Sequence, residues 1–189
     1  MHAALTHPDR PVAAIIGGSK ISTKLSLLHH MVEKVDHLIL GGGMANTFIA
    51  AQGVSLGRSL VEADMSEEAL AITDKATAHG CTIHLPIDGV CARELAHDCE
   101  TQILGFDDFP GDLMVLDAGP KTVEALIPVI NTCQTLIWNG PMGAFEFPPF
   151  DAATNALASH VATRTQSGKL TSIAGGGDTV AALNGSGQA

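Results

Sequence analysis

Positive charge is scarce in this sequence: ten Lys and Arg residues stand against twenty Asp and Glu, for a formal net charge of −10. Nucleic-acid and anionic-membrane surfaces both reward positive charge, so neither is expected as a partner. Any anion this chain binds must be held locally. Long apolar runs are lacking too. None approaches the ~18–20 residues needed to cross a bilayer, and the opening MHAALTHPDRP has no apolar centre of the kind a secretory signal carries. Cysteine is sparse: Cys81, Cys91, Cys99 and Cys133 include no C-x-x-C pair, and His and Cys nowhere take the spacing of a zinc site. A reduced, soluble, cytoplasmic protein is the expectation. Several signatures of nucleotide and hydrolase chemistry are missing as well: G-x-x-x-x-G-K-[ST], H-R-D, D-F-G, G-x-S-x-G, H-E-x-x-H, and a strand-following G-x-G-x-x-G with an acid after the next strand. P-loop, protein-kinase and dinucleotide folds are thereby disfavoured. The nine histidines, His29 and His30 among them, read as scattered surface or edge residues.

What is present is a chain of 189 residues, 46% hydrophobic, enough for one ordinary core and too little for two. Six short apolar runs punctuate it, starting at Val12, His37, Thr82, Leu113, Thr135 and Leu170. They are continuously apolar and do not alternate, as strands covered on both faces are. Helical patterns fall between them: a stripe of Ile21, Leu25, Leu28 and Val32, then segments over 44–52, 66–79, 121–132 and 151–166. Strand and helix in alternation predict an α/β fold, a three-layer αβα Rossmann-like domain with a mostly parallel six-stranded sheet. Five of the runs end in glycine or Gly-Pro, and loops at the carboxyl ends of parallel strands share one ligand-binding rim. No repeat or linker interrupts the chain, and the two ends, MHAALTHPDR and LNGSGQA, read as loosely ordered.

Three of these loops, Gly17–Lys20, Gly41–Asn46 and Gly175–Thr179, hold consecutive glycines. Glycine lets backbone approach a ligand closely, and the free N–H groups of a following helix then face an anion, with phosphate the natural guest. A tight turn with no ligand is the alternative for any one loop. Lys20 and Lys24 stand four apart at an expected helix start, where they would share a side and oppose the helix dipole unless an anion lay between them. Asp178 reads either as a helix N-cap or as the single carboxylate that Mg²⁺ takes alongside nucleotide phosphates. Glu146 reads either as an acceptor for ribose hydroxyls or as the start of a solvent-facing loop, and Trp138 as core.

In order along the chain, RPVAAIIGGSKISTKL, VDHLILGGGMANTF, LGRSLVE, LDAGPKT, WNGPMGAFEFPPF and IAGGGDTVAAL, spread from Arg10 to Leu183, resemble one family: the carboxyl-terminal, nucleotide-binding half of phosphoglycerate kinase. The resemblance implies a glycolytic phosphotransferase that moves a phosphoryl group reversibly between 1,3-bisphosphoglycerate and Mg-ADP, giving 3-phosphoglycerate and ATP. By that resemblance Lys20 follows the transferring phosphoryl group, and Lys24 holds nucleotide phosphates. Gly176 and Gly177 form the catalytic phosphate-binding turn, with Thr179 beside them and Asp178 positioning magnesium. Glu146 matches the ribose-binding acid. Asn139, Pro141 and Gly143 fall in the same nucleotide-lining segment, Gly18, Gly42, Gly43 and Leu116 match the wall around the adenine and the first helix, and Ser19 counts among the nucleotide-binding residues.

The resemblance also predicts departures. No counterpart of the family's amino-terminal domain is expected here, residues 1–10 reading as an interdomain remnant and 11–189 as a nucleotide-binding domain that stops before the family's last strand. Little or no turnover, uncertain solubility and a monomeric state are therefore expected. Val115, where some members have glycine, tightens the adenine pocket. A stand-alone adenine-nucleotide module without chemistry is the competing reading, and a structural domain with glycine-rich turns is a third.

Overall fold

Each of the six apolar runs becomes a strand in the computed structural model, which describes residues 8–187. Five of them, β1 (Val12–Ile16), β2 (His37–Leu40), β3 (Thr82–His84), β7 (Thr135–Asn139) and β8 (Thr171–Ala174), form one parallel sheet in the order β3-β2-β1-β7-β8. The chain fills one side of β1 as far as β3 and later returns to its other side with β7 and β8. The order therefore reverses between β1 and β7, the position at which an open α/β sheet binds its ligands.

The continuous apolar runs are explained by two covered faces. Along β1, Val12, Ala14 and Ile16 face one core with Leu28, Met44, Phe48 and Ile72, from α1 (Leu25–Met31), α2 (Gly42–Ala51) and α3 (Ser66–Ala78). Ala13 and Ile15 face the other, with Leu126, Ile130, Trp138 and Leu157. These belong to β7 and to α4 (Pro120–Thr132) and α5 (Ala152–Gln166), and α6 (Gly177–Gly185) follows β8. Trp138 is core as expected, 2% exposed, and its ring N–H donates to the Gly140 carbonyl oxygen.

The sheet has five strands where six were expected. The fourth apolar run forms β6 (Met114–Ala118), which lies in a separate antiparallel sheet, β5-β4-β6, with β4 (Asp88–Ala92) and β5 (Gln102–Gly105). An apolar run reports burial and carries no statement of which strand pairs with it. The two partners escape an apolar-run search because β4 contains Asp88 and Gly89 and β5 is largely exposed. Asp88 is 2% exposed and accepts the Lys121 and Thr122 N–H groups, so it caps α4 from a neighbouring strand.

The ends are better tied than their composition implied. Arg10 pairs with Asp36 at 2.6 Å, the Thr135 hydroxyl donates to the Asp9 carbonyl oxygen, and α6 continues to Gly185. Residues 1–7 and 188–189, for which loose order was also expected, lie outside the described residues.

Candidate functional site

The carboxyl ends of β1, β2, β6 and β7 and the start of α6 enclose a cleft of about 420 Å³, within the usual range for small-molecule sites. Gly18 and Ser19 come from the loop after β1, Gly42 and Gly43 from the start of α2, and Leu116 from β6. Pro141, Gly143 and Glu146 come from the loop after β7, and Asp178 closes the side formed by α6. Nine of the fifteen site residues expected from sequence are thus brought to one cavity, and Val115, expected to tighten the pocket, lines it too. Lys20, Lys24, Asn139, Gly176, Gly177 and Thr179 stand outside its lining.

The walls are close-packed backbone. A Cβ on Gly17 would stand 1.7 Å from the Pro141 carbonyl oxygen, and one on Gly140, whose φ is +106°, 2.3 Å from that of Gly17. The loops after β1 and β7 therefore touch with no side chain between them. At the start of α6 the packing is open: a Cβ on Gly177 would meet nothing within 4 Å.

The two lysines do not share a helix face. Residues 21–24 form a turn, α1 starts at Leu25, and Lys24 is its N-cap residue. The side chain turns back toward the sheet. Its Nζ donates to the Gly17 carbonyl oxygen (2.7 Å), to Asn139 Oδ1 (2.7 Å) and to the Asn139 carbonyl oxygen (3.2 Å). Half-burial lowers its pKa, and the Asp178 carboxylate works the other way. Carbonyl oxygens at strand ends, rather than a bound anion alone, offset the charge that sequence reasoning placed against the helix dipole. Lys20, by contrast, is exposed.

Asp178 is not a cap. The N-cap of α6 is Gly176, with φ +99°, and Asp178 lies in the first turn, exposed. That acid suits the positive end of the helix. Thr179 is 2% exposed; its hydroxyl donates to the Gly175 carbonyl oxygen and accepts the Gly140 N–H. Glu146 is exposed at the cleft. Among the described residues no three His, Cys, Asp or Glu side chains gather as a metal cage. One exposed carboxylate at the start of α6, that of Asp178, suits magnesium that brings its other oxygen ligands on a phosphate chain, so the residues present fit that group.

Two acids escaped sequence reasoning. Asp117, 1% exposed in β6, accepts the N–H groups of Ala118 and of Ala153 in the first turn of α5, and Gly143 packs directly on it. Burial pushes its carboxyl up to about 8 against the pull of these hydrogen bonds. The signal was an acid inside the apolar run LMVLDAGP. Glu62, in LGRSLVE, accepts both the N–H and the hydroxyl of Ser22 and so holds the loop that carries Lys20. Burial works to raise the Glu62 carboxyl, and the bonds from Ser22 and the Ile21 N–H, with the Lys20 charge, together outweigh it, leaving it below its ordinary value. Leu60 and Leu95, 49% and 44% exposed, complete the apolar side of the cleft.

A parallel sheet with its cleft at the reversal of strand order, rimmed by glycine turns, defines an open α/β domain of the ligand-binding type. Within that class the chain belongs to the phosphoglycerate kinase family, whose model matches residues 1–189. It is 58% identical to the phosphoglycerate kinase of Cereibacter sphaeroides over 189 residues, 100% of this chain and 48% of that protein. To that of Sphingopyxis alaskensis it is 56% identical over the same shares. The chain spans about half the length of the curated relatives it matches. The solved phosphoglycerate kinase of Coxiella burnetii superposes with a TM-score of 0.93 at 40% identity, covering 99% of this chain and 47% of the other. That of Pyrococcus horikoshii OT3 shares the fold, with a TM-score of 0.72 at 22% identity over 100% of this chain and 52% of the other.

Proposed function

We propose that this chain is the nucleotide-binding half of a phosphoglycerate kinase. The whole protein transfers a phosphoryl group reversibly between 1,3-bisphosphoglycerate and Mg-ADP in glycolysis, giving 3-phosphoglycerate and ATP. The observation that carries this reading is the convergence of loops after β1, β2 and β7 with Asp178 on one cleft at the sheet's switch point, in a chain of this family.

The division of labour follows from the cleft's two ends. Leu60, Leu95 and Leu116 with the backbone of Gly42 and Gly43 offer an apolar slot for a flat base. Glu146, exposed beside it, accepts hydrogen bonds from ribose hydroxyls. The phosphate chain then runs toward α6, where the N–H groups of Gly177 and Asp178 are among the four that no helical carbonyl can satisfy. Magnesium, when bound with the nucleotide, neutralises charge on the phosphate oxygens. Asp178 would hold that cation at the cleft, and Lys20, free of any helix, would stabilise charge on the migrating phosphoryl group. Binding of the acyl-phosphate substrate falls to groups outside this chain, which by itself turns over little or not at all. The protein acts in the cytoplasm as a monomer, with no nucleic-acid or membrane partner.

Calorimetric titration of Mg-ADP into the chain tests this, beside Glu146→Gln and Asp178→Asn. Saturable binding that weakens in both variants supports the reading. A folded parent that binds no Mg-ADP overturns it in favour of a structural domain. Restoration of ATP formation on adding the amino-terminal half of a relative separates a kinase from a nucleotide-binding module.

A further inference from the structure

The Lys24 ammonium has three N–H donors, and three protein oxygens meet it: Gly17 O at the end of β1, and Asn139 O and Oδ1 at the end of β7. The bonding continues outward. Asn139 Nδ2 donates to the Gly175 carbonyl oxygen at 2.9 Å, and the Thr179 hydroxyl donates to the same oxygen while accepting the Gly140 N–H. One cation therefore ties two strand ends to each other and, through one amide side chain, to the turn that starts α6. Neither end of this linkage is a surface accident. Lys24 is half-buried, Asn139 lies where the sheet reverses its order, and Gly175 N–H is itself fixed to the Trp138 carbonyl oxygen.

We propose that Lys24 is a positioning residue: its ammonium clamps the ends of β1 and β7 and, through Asn139, sets the Gly175–Thr179 turn, so that an entering nucleoside polyphosphate must exchange with protein carbonyls for the same cation. The clamp stands on the geometry alone. The exchange rests on the nucleotide reading given above. A lysine that served a phosphate only would direct its donors into the cleft, and Lys24 is not among the residues that line it. This one is spent on the scaffold, and Asp178 is the charged neighbour that shares its field.

Three measurements on the full chain test the proposal. In urea, Lys24→Met without ligand is expected to lower the folded-to-unfolded ratio by about tenfold or more, the scale of hydrogen bonds to a charged group. Lys24→Arg keeps the charge, but its planar fork cannot meet three oxygens converging on one point, so a smaller loss in the same direction is expected. Hydrogen exchange supplies the readout that a local packing role would not move. The Gly175 amide, across the Asn139 bridge, is expected to exchange in Lys24→Met about tenfold faster than the fall in global stability alone gives to the core amides of β2. Unfolding midpoints equal to the parent's in both variants, or a Gly175 rate that rises no more than those of the β2 amides, overturn the clamp. If Lys24→Met does not fold, the Lys24→Arg midpoint decides. A parent that binds no Mg-ADP while the variants lose stability leaves the clamp standing and removes the nucleotide reading. A parent that binds Mg-ADP with no change at the Lys24 ammonium nitrogen resonance overturns the exchange.

Discussion

Around the cleft, the loops after β1 and β7 leave no room for a side chain at Gly17 and Gly140, whereas the start of α6 leaves Gly177 in open space. The first set of loops is fixed by backbone contact: Gly17 against Pro141, Gly140 against Gly17, and Gly42 against Gly18. The second is held by three hydrogen bonds at Gly175, whose carbonyl oxygen accepts from Asn139 Nδ2 and the Thr179 hydroxyl and whose N–H donates to the Trp138 carbonyl oxygen. Glycine does different work in the two places. In the first it lets strands' ends close on each other and makes a rigid wall. In the second it leaves helix N–H groups uncovered for a ligand to approach. Substitutions that behave the same in both regions would break the distinction.

The largest effect is expected where backbone meets backbone. Gly140→Ala forces a side chain into a positive φ and into the Gly17 carbonyl, and Gly17→Ala drives one into that of Pro141. Neither neighbour is the end of a flexible side chain, so the strands must separate. Each change is expected to cost about 3 kcal/mol or more of folding stability, read as a fall in the urea midpoint. A loss under about 1 kcal/mol would show that the loops after β1 and β7 yield easily, and that the contrast with α6 is one of degree.

Next in size is the pH response of the rigid wall. Asp117 supports Gly143 from beneath and is held up to about 8 by burial. In the unfolded chain an aspartate titrates near ~3.9. Between those values the folded protein keeps a proton that the unfolded chain has released, so stability falls as pH rises. The slope from this one group is at most about 1.4 kcal/mol per pH unit, vanishing below about pH 4 and above about pH 8. Asp117→Asn is expected to flatten the parent's decline between about pH 6 and 8 in urea unfolding, by about 2 kcal/mol over that window. An unchanged profile would mean that the hydrogen bonds from Ala118 and Ala153 hold the carboxyl ionised.

Much of this architecture was legible in the sequence, and the exceptions share a cause. All six apolar runs are strands because burial on both faces leaves a local mark. The assignment of the Leu113 run to the parallel sheet failed because pairing is a long-range property, and β4 and β5, its true sheet, carry no apolar stripe. The spacing of Lys20 and Lys24 was read as one helical turn, yet the chain turns at residues 21–24 before α1 begins. Nine of the fifteen expected site residues line the cleft because glycine loops at strand ends converge in any parallel sheet. The partners of Lys24 were not legible: Asn139 lies 115 residues away, and only the adjacency of β1 and β7 brings them together.

The smallest change in stability, and the sharpest contrast, is expected at Gly177. Alanine there adds a methyl that touches nothing, at the first position of α6, and it narrows the unfolded ensemble. Folding stability in urea is therefore expected to stay level or to rise by about 0.5 kcal/mol. Mg-ADP affinity is expected to move the other way, falling about tenfold, because the methyl stands where a phosphate would approach the uncovered N–H groups of the helix. Calorimetry and urea unfolding on the same preparation read both. A loss of stability would place Gly177 with Gly17 and Gly140 as a packing glycine. Undiminished binding would mean that the phosphates pass nearer to Lys24 and the loop after β1 than to α6. Stability kept and affinity lost is the combination that only an open, ligand-facing turn produces, and neither Gly17→Ala nor Gly140→Ala can mimic it, since both remove the wall itself.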